Sequence, residues 1–120
     1  MNKERILQLA DVIEKKPHRR RFNRSSPNKK LTGFNMSEWH CGTVGCIAGW
    51  TQHLFGTGTP NYDSGIEAAK LLGLHDRAAT DLFIPGKAIF CTLDEVKPRQ
   101  AAAVLRHLAE TGKVDWSITP

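Results

Sequence analysis

Pro98-Arg-Gln-Ala-Ala-Ala-Val-Leu-Arg-His-Leu-Ala-Glu-Thr-Gly112 is the stretch with the clearest signal for the fold. Its apolar residues recur at the spacing of one helical face, which predicts a buried stripe. They are Ala101, Val104, Leu105 and Leu108. Pro98 suits the first helical turn, where its missing N–H costs little, and Gly112 is well placed just after the C-terminus. The stretch therefore predicts an amphipathic helix packed against a core.

Two further helices are predicted upstream. The first runs from Lys3 to Lys16, with Asn2 as its N-cap, and Pro17 ends it. Its buried stripe consists of Ile6, Leu9, Ala10 and Ile13. The second is expected over residues 43–55, because apolar residues again recur on one face.

The middle of the chain predicts two more short helices. Ser64-Gly-Ile-Glu67 matches a capping box, in which a hydroxyl and a carboxylate satisfy the first backbone amides of a helix. Asp76 is expected to cap the next helix, which runs to Phe83. No convincing strand alternation is visible. We therefore expect an all-α fold, a single compact domain of four or five short helices over residues 1–120.

Residues 15–30, the basic segment, hold eight lysine or arginine residues and no aspartate or glutamate. The whole chain has 17 basic and 12 acidic residues, a net charge of +5, so the remainder is mildly acidic. Pro17, Pro27 and several Asn and Ser residues predict a long basic loop after the first helix. Clustered cations favour a polyanion, because each neutralised phosphate releases condensed counterions.

We therefore expect a binding protein that contacts nucleic acid or a nucleoprotein complex through the basic segment. Phe22 is a candidate for stacking on a base. The same charge also fits an acidic protein surface, or a solvated loop without a specific partner. The candidate binding residues are Lys15, Lys16, Arg19, Arg20, Arg21, Phe22, Arg24, Lys29 and Lys30.

The segment His40-Cys-Gly-Thr-Val-Gly-Cys-Ile-Ala-Gly-Trp50 has several interpretations. Cysteine often packs as a small apolar residue, so Cys46 beside Ile47 predicts a place in the core. Metal binding would use Cys41, Cys46 and His53, with His40 nearby. No second ligand pair follows, so His75 or Cys91 would have to complete the site from a distance. We therefore expect no metal and no cofactor.

Catalysis by Cys41 is the alternative function. Its surroundings faintly resemble the Cys-Gly-x-x-Cys segments at the nucleophile of papain-like and bacteriocin-processing cysteine peptidases. Cys41 is expected at a helix N-terminus, where the helix dipole stabilises a thiolate. His107 with Asp115, or His75, would be the base of a small hydrolase. Those peptidases carry the base on β-strands, which are not predicted here, so we expect binding rather than catalysis.

Glu67-Ala-Ala-Lys-Leu-Leu-Gly-Leu74, followed by residues 75–82, is similar to a helix-turn-helix. In that motif the second helix enters the major groove of DNA. Asp76 and Asp81 would then meet phosphates, which repel them, and the usual Arg or Lys anchors are missing. A helical hairpin whose Gly73 permits the turn is therefore the preferred interpretation.

Several stretches together resemble a group of small uncharacterised proteins from bacteria and their phages. The most specific are Cys41-Gly-Thr-Val-Gly-Cys-Ile-Ala-Gly-Trp50 and Thr111-Gly-Lys-Val-Asp-Trp116, and the resemblance spans residues 34–116. No activity is established for that group, so the resemblance implies no catalytic residues. The basic segment lies outside it, which suggests a specialisation of this chain rather than the role that the group shares. The charge of this segment and the phage-like resemblance together give one further expectation, a phage-type inhibitor or modulator of a host nucleic-acid system.

Composition also bears on location. No apolar stretch approaches the roughly 20 residues that a membrane span needs. The N-terminal residues lack the apolar region of a signal peptide, and an odd number of cysteines, three, favours reduced thiols over a disulfide. We expect a cytoplasmic protein that does not contact a membrane.

Overall fold

α-Helices make up most of the part of the chain that the structure describes. The computed structural model describes residues 1–17, 33–34, 40–41, 44–56, 64–83 and 96–118. In chain order these contain α1 (Lys3–Glu14), β1 (Gly33–Phe34), β2 (His40–Cys41), β3 (Val44–Gly45), α2 (Ile47–Phe55), α3 (Ser64–Leu72), α4 (Asp76–Phe83), α5 (Pro98–Thr111) and a 3-10 helix (Trp116–Ile118). The expected all-α fold of four or five helices is confirmed, with five α-helices in the described residues. The three two-residue strands are a small addition that was not predicted.

α1 begins as its sequence predicts and ends two residues early. The Arg5 backbone N–H donates to Oδ1 of Asn2 over 3.1 Å, which confirms the N-cap. The helix stops at Glu14, and the N–H groups of Lys15 and Lys16 close its last turn on the carbonyls of residues 12 and 13. All four residues of its predicted stripe are fully buried.

α5 packs along α1 and supplies the opposite wall of the core. Its four predicted stripe residues are fully buried, and Pro98 lies at the first helical position. Gly112 follows the helix with φ of 78°, a left-handed conformation that glycine adopts without a side-chain clash. The start of α5 lies beside the end of α1, so the two helices run in opposite directions.

α2 begins four residues later than predicted, because Val44 and Gly45 form the central strand of the sheet. β3 pairs in parallel with β1 and antiparallel with β2. Cys46 follows β3 directly and is the N-cap residue of α2. The sheet therefore fixes the point at which the chain enters this helix.

α3 and α4 form a helical hairpin. Gly73 ends α3 with φ of 68°, and a Cβ there would lie 3.0 Å from both the Asn2 nitrogen and the Met1 Cα. The Asn2 N–H donates to the Leu72 carbonyl over 2.7 Å, so the N-terminus packs on this turn. The predicted cap of α4 was wrong by one residue. The helix already includes Asp76, and the Ala78 N–H donates to Nδ1 of His75 over 3.2 Å.

Trp116, near the end of the described chain, is hydrogen-bonded to α4. Trp116 is buried, and its indole Nε1–H donates to the Asp81 carbonyl over 2.9 Å. Val96, just before α5, is also buried in the same core. In the described ranges, every helix is too short or too polar to cross a membrane.

Candidate nucleic-acid interface

Residues 18–32, which hold most of the basic segment and of the predicted basic loop, lie outside the described residues, between Pro17 and Gly33. The Phe34 N–H donates to the Pro17 carbonyl over 2.9 Å, so these two points are joined directly. Phe34 is fully buried, and Gly33 pairs with Val44 in the sheet. The described residues on either side of residues 18–32 therefore lie next to each other on the fold.

Trp50 contacts residues on both sides of residues 18–32. Its ring is buried in α2, and its Nε1–H donates to the Gly33 carbonyl over 2.9 Å. The Lys16 ammonium lies 5.2 Å from the centre of the same ring, a cation–π contact. Sequence reasoning did not assign this role to Trp50. The available signal was chemical, since a buried indole N–H usually finds an acceptor.

Two of the nine predicted binding residues are in the described part of the chain. Lys15 is exposed just after α1, and Lys16 is half-buried against Trp50. Both cations also lie at the negative end of the α1 dipole, which they stabilise. The other seven lie outside the described residues: Arg19, Arg20, Arg21, Phe22, Arg24, Lys29 and Lys30.

An open groove lies where the end of α1 meets the start of α5. Its volume is about 320 Å³, and its lining residues are Glu14, Lys16, Lys97, Pro98 and Arg99. Lys97 and Arg99 are exposed on either side of the buried Pro98. Sequence reasoning missed these two cations, because only the packing of α5 on α1 brings them to the basic segment.

The cysteines are arranged differently from the catalytic prediction. Cys41 lies in β2, paired with Val44, and α2 begins only at Ile47. The expectation that Cys41 occupies a helix N-terminus was therefore wrong, because β3 lies between this residue and the helix. Cys46 occupies that place, and it is 2% exposed within the core, as the packing interpretation predicts.

His107 and Asp115, the other residues of the catalytic alternative, lie at the end of α5 and after it. His107 is half-buried, and its carbonyl accepts from the Thr111 hydroxyl over 2.9 Å. Asp115 accepts from the side chain and the backbone N–H of Ser117, which lowers the pKa of this carboxyl, with a smaller contribution from His107. The charge interaction joins His107 to Asp115, as the catalytic alternative expects, whereas the Cys41 side chain lies outside the described residues.

Among the residues whose side chains the structure describes, no group of three or more His, Cys, Asp or Glu could hold a metal ion. The side chains of His40 and Cys41, and Cys91 as a whole, lie outside that set, so the interpretation that uses Cys41, Cys46 and His53 stays a prediction. The exposed side of α4, the α4 face, consists of Asp76, Arg77, Thr80 and Asp81. Arg77 lies 3.9 Å from the Asp81 carboxylate, so its charge is partly compensated. This acidic face favours a structural hairpin over a DNA-reading helix.

Comparison of the chain with protein-family models, curated proteins and solved structures found no match. The resemblance to small bacterial and phage proteins stays a prediction.

Proposed function

We propose that this protein binds nucleic acid, alone or within a nucleoprotein complex, by contacting phosphates with the basic segment. One observation carries the proposal: eight cations and no acid in residues 15–30, in a chain whose remainder is mildly acidic. Each phosphate that such a cation neutralises releases condensed counterions, and this release drives association. The binding is expected to depend on phosphates rather than on base sequence.

The anchoring of the basic segment supports the proposal. The Phe34 N–H donates to the Pro17 carbonyl, and Trp50 contacts both Gly33 and Lys16, so the residues on either side of residues 18–32 are joined to the core. Lys15 and Lys16, the first two cations of the segment, are thereby held on the folded core.

A phage-type modulator of a host nucleic-acid system is the biological role that we propose with this binding mode. A cationic segment cannot imitate a nucleic acid in an enzyme's phosphate-binding groove, because its charge has the opposite sign. It would instead contact the phosphates of a nucleic acid already bound there. The protein is therefore expected to contact phosphates whether the nucleic acid is free or already bound to an enzyme.

The test is a salt titration of binding to a labelled duplex and a labelled single strand, followed by fluorescence anisotropy. The test variant replaces four cations of the basic segment by glutamine: Arg19, Arg20, Arg21 and Arg24. The matched control replaces four exposed cations elsewhere, with the same change in net charge: Lys3, Lys70, Arg77 and Lys113.

We expect wild-type affinity to fall steeply with salt. Each lost contact should reduce the slope of log K against log salt by about 0.9 on a duplex and about 0.7 on a single strand. The test variant should lose about tenfold or more in affinity at low salt, and the control much less. Equal losses in both variants would mean that net charge alone attracts the nucleic acid. Absence of salt-dependent binding by the wild type would overturn the proposal.

A further inference from the structure

The groove between α1 and α5 has an uneven charge. Lys16, Lys97 and Arg99 contribute cations to its lining, and Glu14 contributes the only carboxylate among its described lining residues. The cations come from two elements that are separated by about 80 residues in sequence. They meet because the start of α5 packs beside the end of α1.

Arg106 compensates the carboxylate of Glu14 in part, because it also pairs with Asp11. Its guanidinium donates to both Glu14 oxygens, from Nη1 over 2.6 Å and from Nη2 over 3.1 Å. Nη2 also donates to Asp11 over 2.9 Å. A two-point arginine–carboxylate pair of this kind is among the stronger ionic contacts in proteins. Glu14 is therefore paired with Arg106 of α5, and its negative charge offsets the positive charge of the groove cations only partly.

Lys97 and Arg99 make no ion pair with any residue in the described part of the chain. Both are exposed, and the buried Pro98 fixes the backbone between them. An exposed cation without a carboxylate partner keeps its attraction for an anion from outside. These two residues thus present charge from a rigid helix start.

One lining residue of the groove belongs to the basic segment. This residue is Lys16, the second cation of the segment, and residues 18–32 follow it after Pro17. At about 320 Å³ and open to solvent, the groove is at the small end of ligand sites, which span roughly 300–1,000 Å³. An open, cationic groove suits a passing phosphodiester backbone better than an enclosed small molecule.

We propose that Lys97 and Arg99, together with Lys16, form a second phosphate-contacting surface that continues the basic segment onto the folded core. This inference rests on the proposed nucleic-acid binding. The occupant of the groove is the phosphate backbone of the same nucleic acid. The protein then contacts its partner both through the basic segment and through fixed positions on α5.

The experiment compares two double variants in the anisotropy titration with the labelled duplex. The test variant is K97Q/R99Q, and the matched control is R77Q/K113Q, which also removes one lysine and one arginine from exposed positions. Thermal unfolding followed by circular dichroism checks that both variants keep the wild-type fold. Because all four side chains are exposed, the variants should fold normally.

We expect K97Q/R99Q to weaken binding about 3- to 30-fold at low salt and to reduce the salt slope by about one to two. The control should change affinity less than twofold. If K97Q/R99Q matches the control while the four-arginine variant still loses affinity, this inference fails and the proposed function stands. If the wild type shows no salt-dependent binding, both fail. A loss of binding accompanied by unfolding is resolved by the single variants K97Q and R99Q, where unchanged affinity in both overturns the inference.

Discussion

The groove between α1 and α5 and the α4 face have opposite charges, although each is linked to a tryptophan indole that donates to a backbone carbonyl. Lys16 of the groove contacts Trp50, whose indole donates to the Gly33 carbonyl over 2.9 Å. On α4, the Trp116 indole donates to the Asp81 carbonyl over the same distance. The groove carries three cations around a compensated Glu14, whereas the α4 face carries two aspartates and one partly paired arginine.

The difference teaches that a motif and a binding surface need not coincide. The stretch that is similar to a helix-turn-helix ends in a face from which phosphates would be repelled. The cations that suit phosphates come from the end of α1 and the start of α5, two helices that are far apart in sequence but packed together. Matched substitutions, one in each region, can therefore separate an effect on stability from an effect on binding.

The largest effect is expected from a matched pair of tryptophan substitutions, Trp50→Phe and Trp116→Phe. Each removes the indole N–H from a backbone carbonyl, and an unsatisfied buried acceptor costs about 1–3 kcal/mol. We expect both to lower the free energy of unfolding in urea, Trp50→Phe more strongly because its hydrogen bond is buried. Only Trp50→Phe should weaken nucleic-acid binding by the folded protein, since it removes the hydrogen bond to Gly33 and weakens the cation–π contact with Lys16. Equal affinities for the two variants would contradict this division.

The next effect concerns the turn of the α3–α4 hairpin. Gly73→Ala and Gly112→Ala both place a side chain at positive φ, a strain of about 1–2 kcal/mol. Gly73→Ala should be the more destabilising, because its Cβ would meet backbone atoms at 3.0 Å, whereas the Cβ at Gly112 meets nothing within 4 Å. Thermal unfolding measures the difference. Nucleic-acid affinity should not change in either variant, and a selective loss in Gly73→Ala would restore a binding role to the hairpin.

A smaller effect is expected at the start of α4. His75→Ala removes the acceptor for the Ala78 N–H, and loss of an N-cap costs about 0.5–2 kcal/mol. His75→Asn supplies a side-chain oxygen at the same place and should recover most of this stability. Urea unfolding of both variants at one pH measures the difference. If the His75→Asn and His75→Ala variants are equally destabilised, the side-chain hydrogen bond of His75 does not stabilise the start of the helix.

The smallest effect should come from Arg106→Gln. Hydrogen bonds and charge from Arg106 lower the pKa of the Glu14 carboxyl below its ordinary value of 4.5. A lowered carboxyl pKa stabilises the fold above the ordinary value, and this stabilisation is lost as pH falls through the folded-state pKa. The stability difference between wild type and variant should therefore be constant near neutral pH and shrink below pH 4.5.

Urea unfolding at several pH values measures this dependence, with Arg106→Lys as the control. Lysine keeps the positive charge but cannot form the two-point contact. A difference that does not change across the acid range would show that Arg106 acts by packing alone. In the binding assay, Arg106→Gln should also weaken affinity slightly, because Glu14 then offsets the groove cations without compensation.

The helices were predictable because each has a local signal. The apolar stripes of α1 and α5, the cap at Asn2 and the stop at Gly112 all act within a few residues. The sheet was not predictable, since two-residue strands are too short to show alternation. For the same reason the start of α2 was placed too early, which led to the wrong position for Cys41.

The candidate interface was predictable only in part. The basic segment is evident as a run of charge in the sequence, and Lys15 and Lys16 belong to that run. Lys97 and Arg99 look like ordinary surface cations until α5 is packed on α1. The contacts of Trp50 with Gly33 and Lys16 likewise depend on tertiary structure, so no local pattern indicates them.

Amide hydrogen exchange with and without a saturating oligonucleotide tests the central claim most directly, because it reports on both regions in one sample. We predict slower exchange on binding in peptides that cover residues 15–34 and 96–100, and unchanged exchange in peptides that cover residues 75–83. Protection confined to residues 75–83, or no protection in the basic segment while the oligonucleotide is bound, would contradict the account.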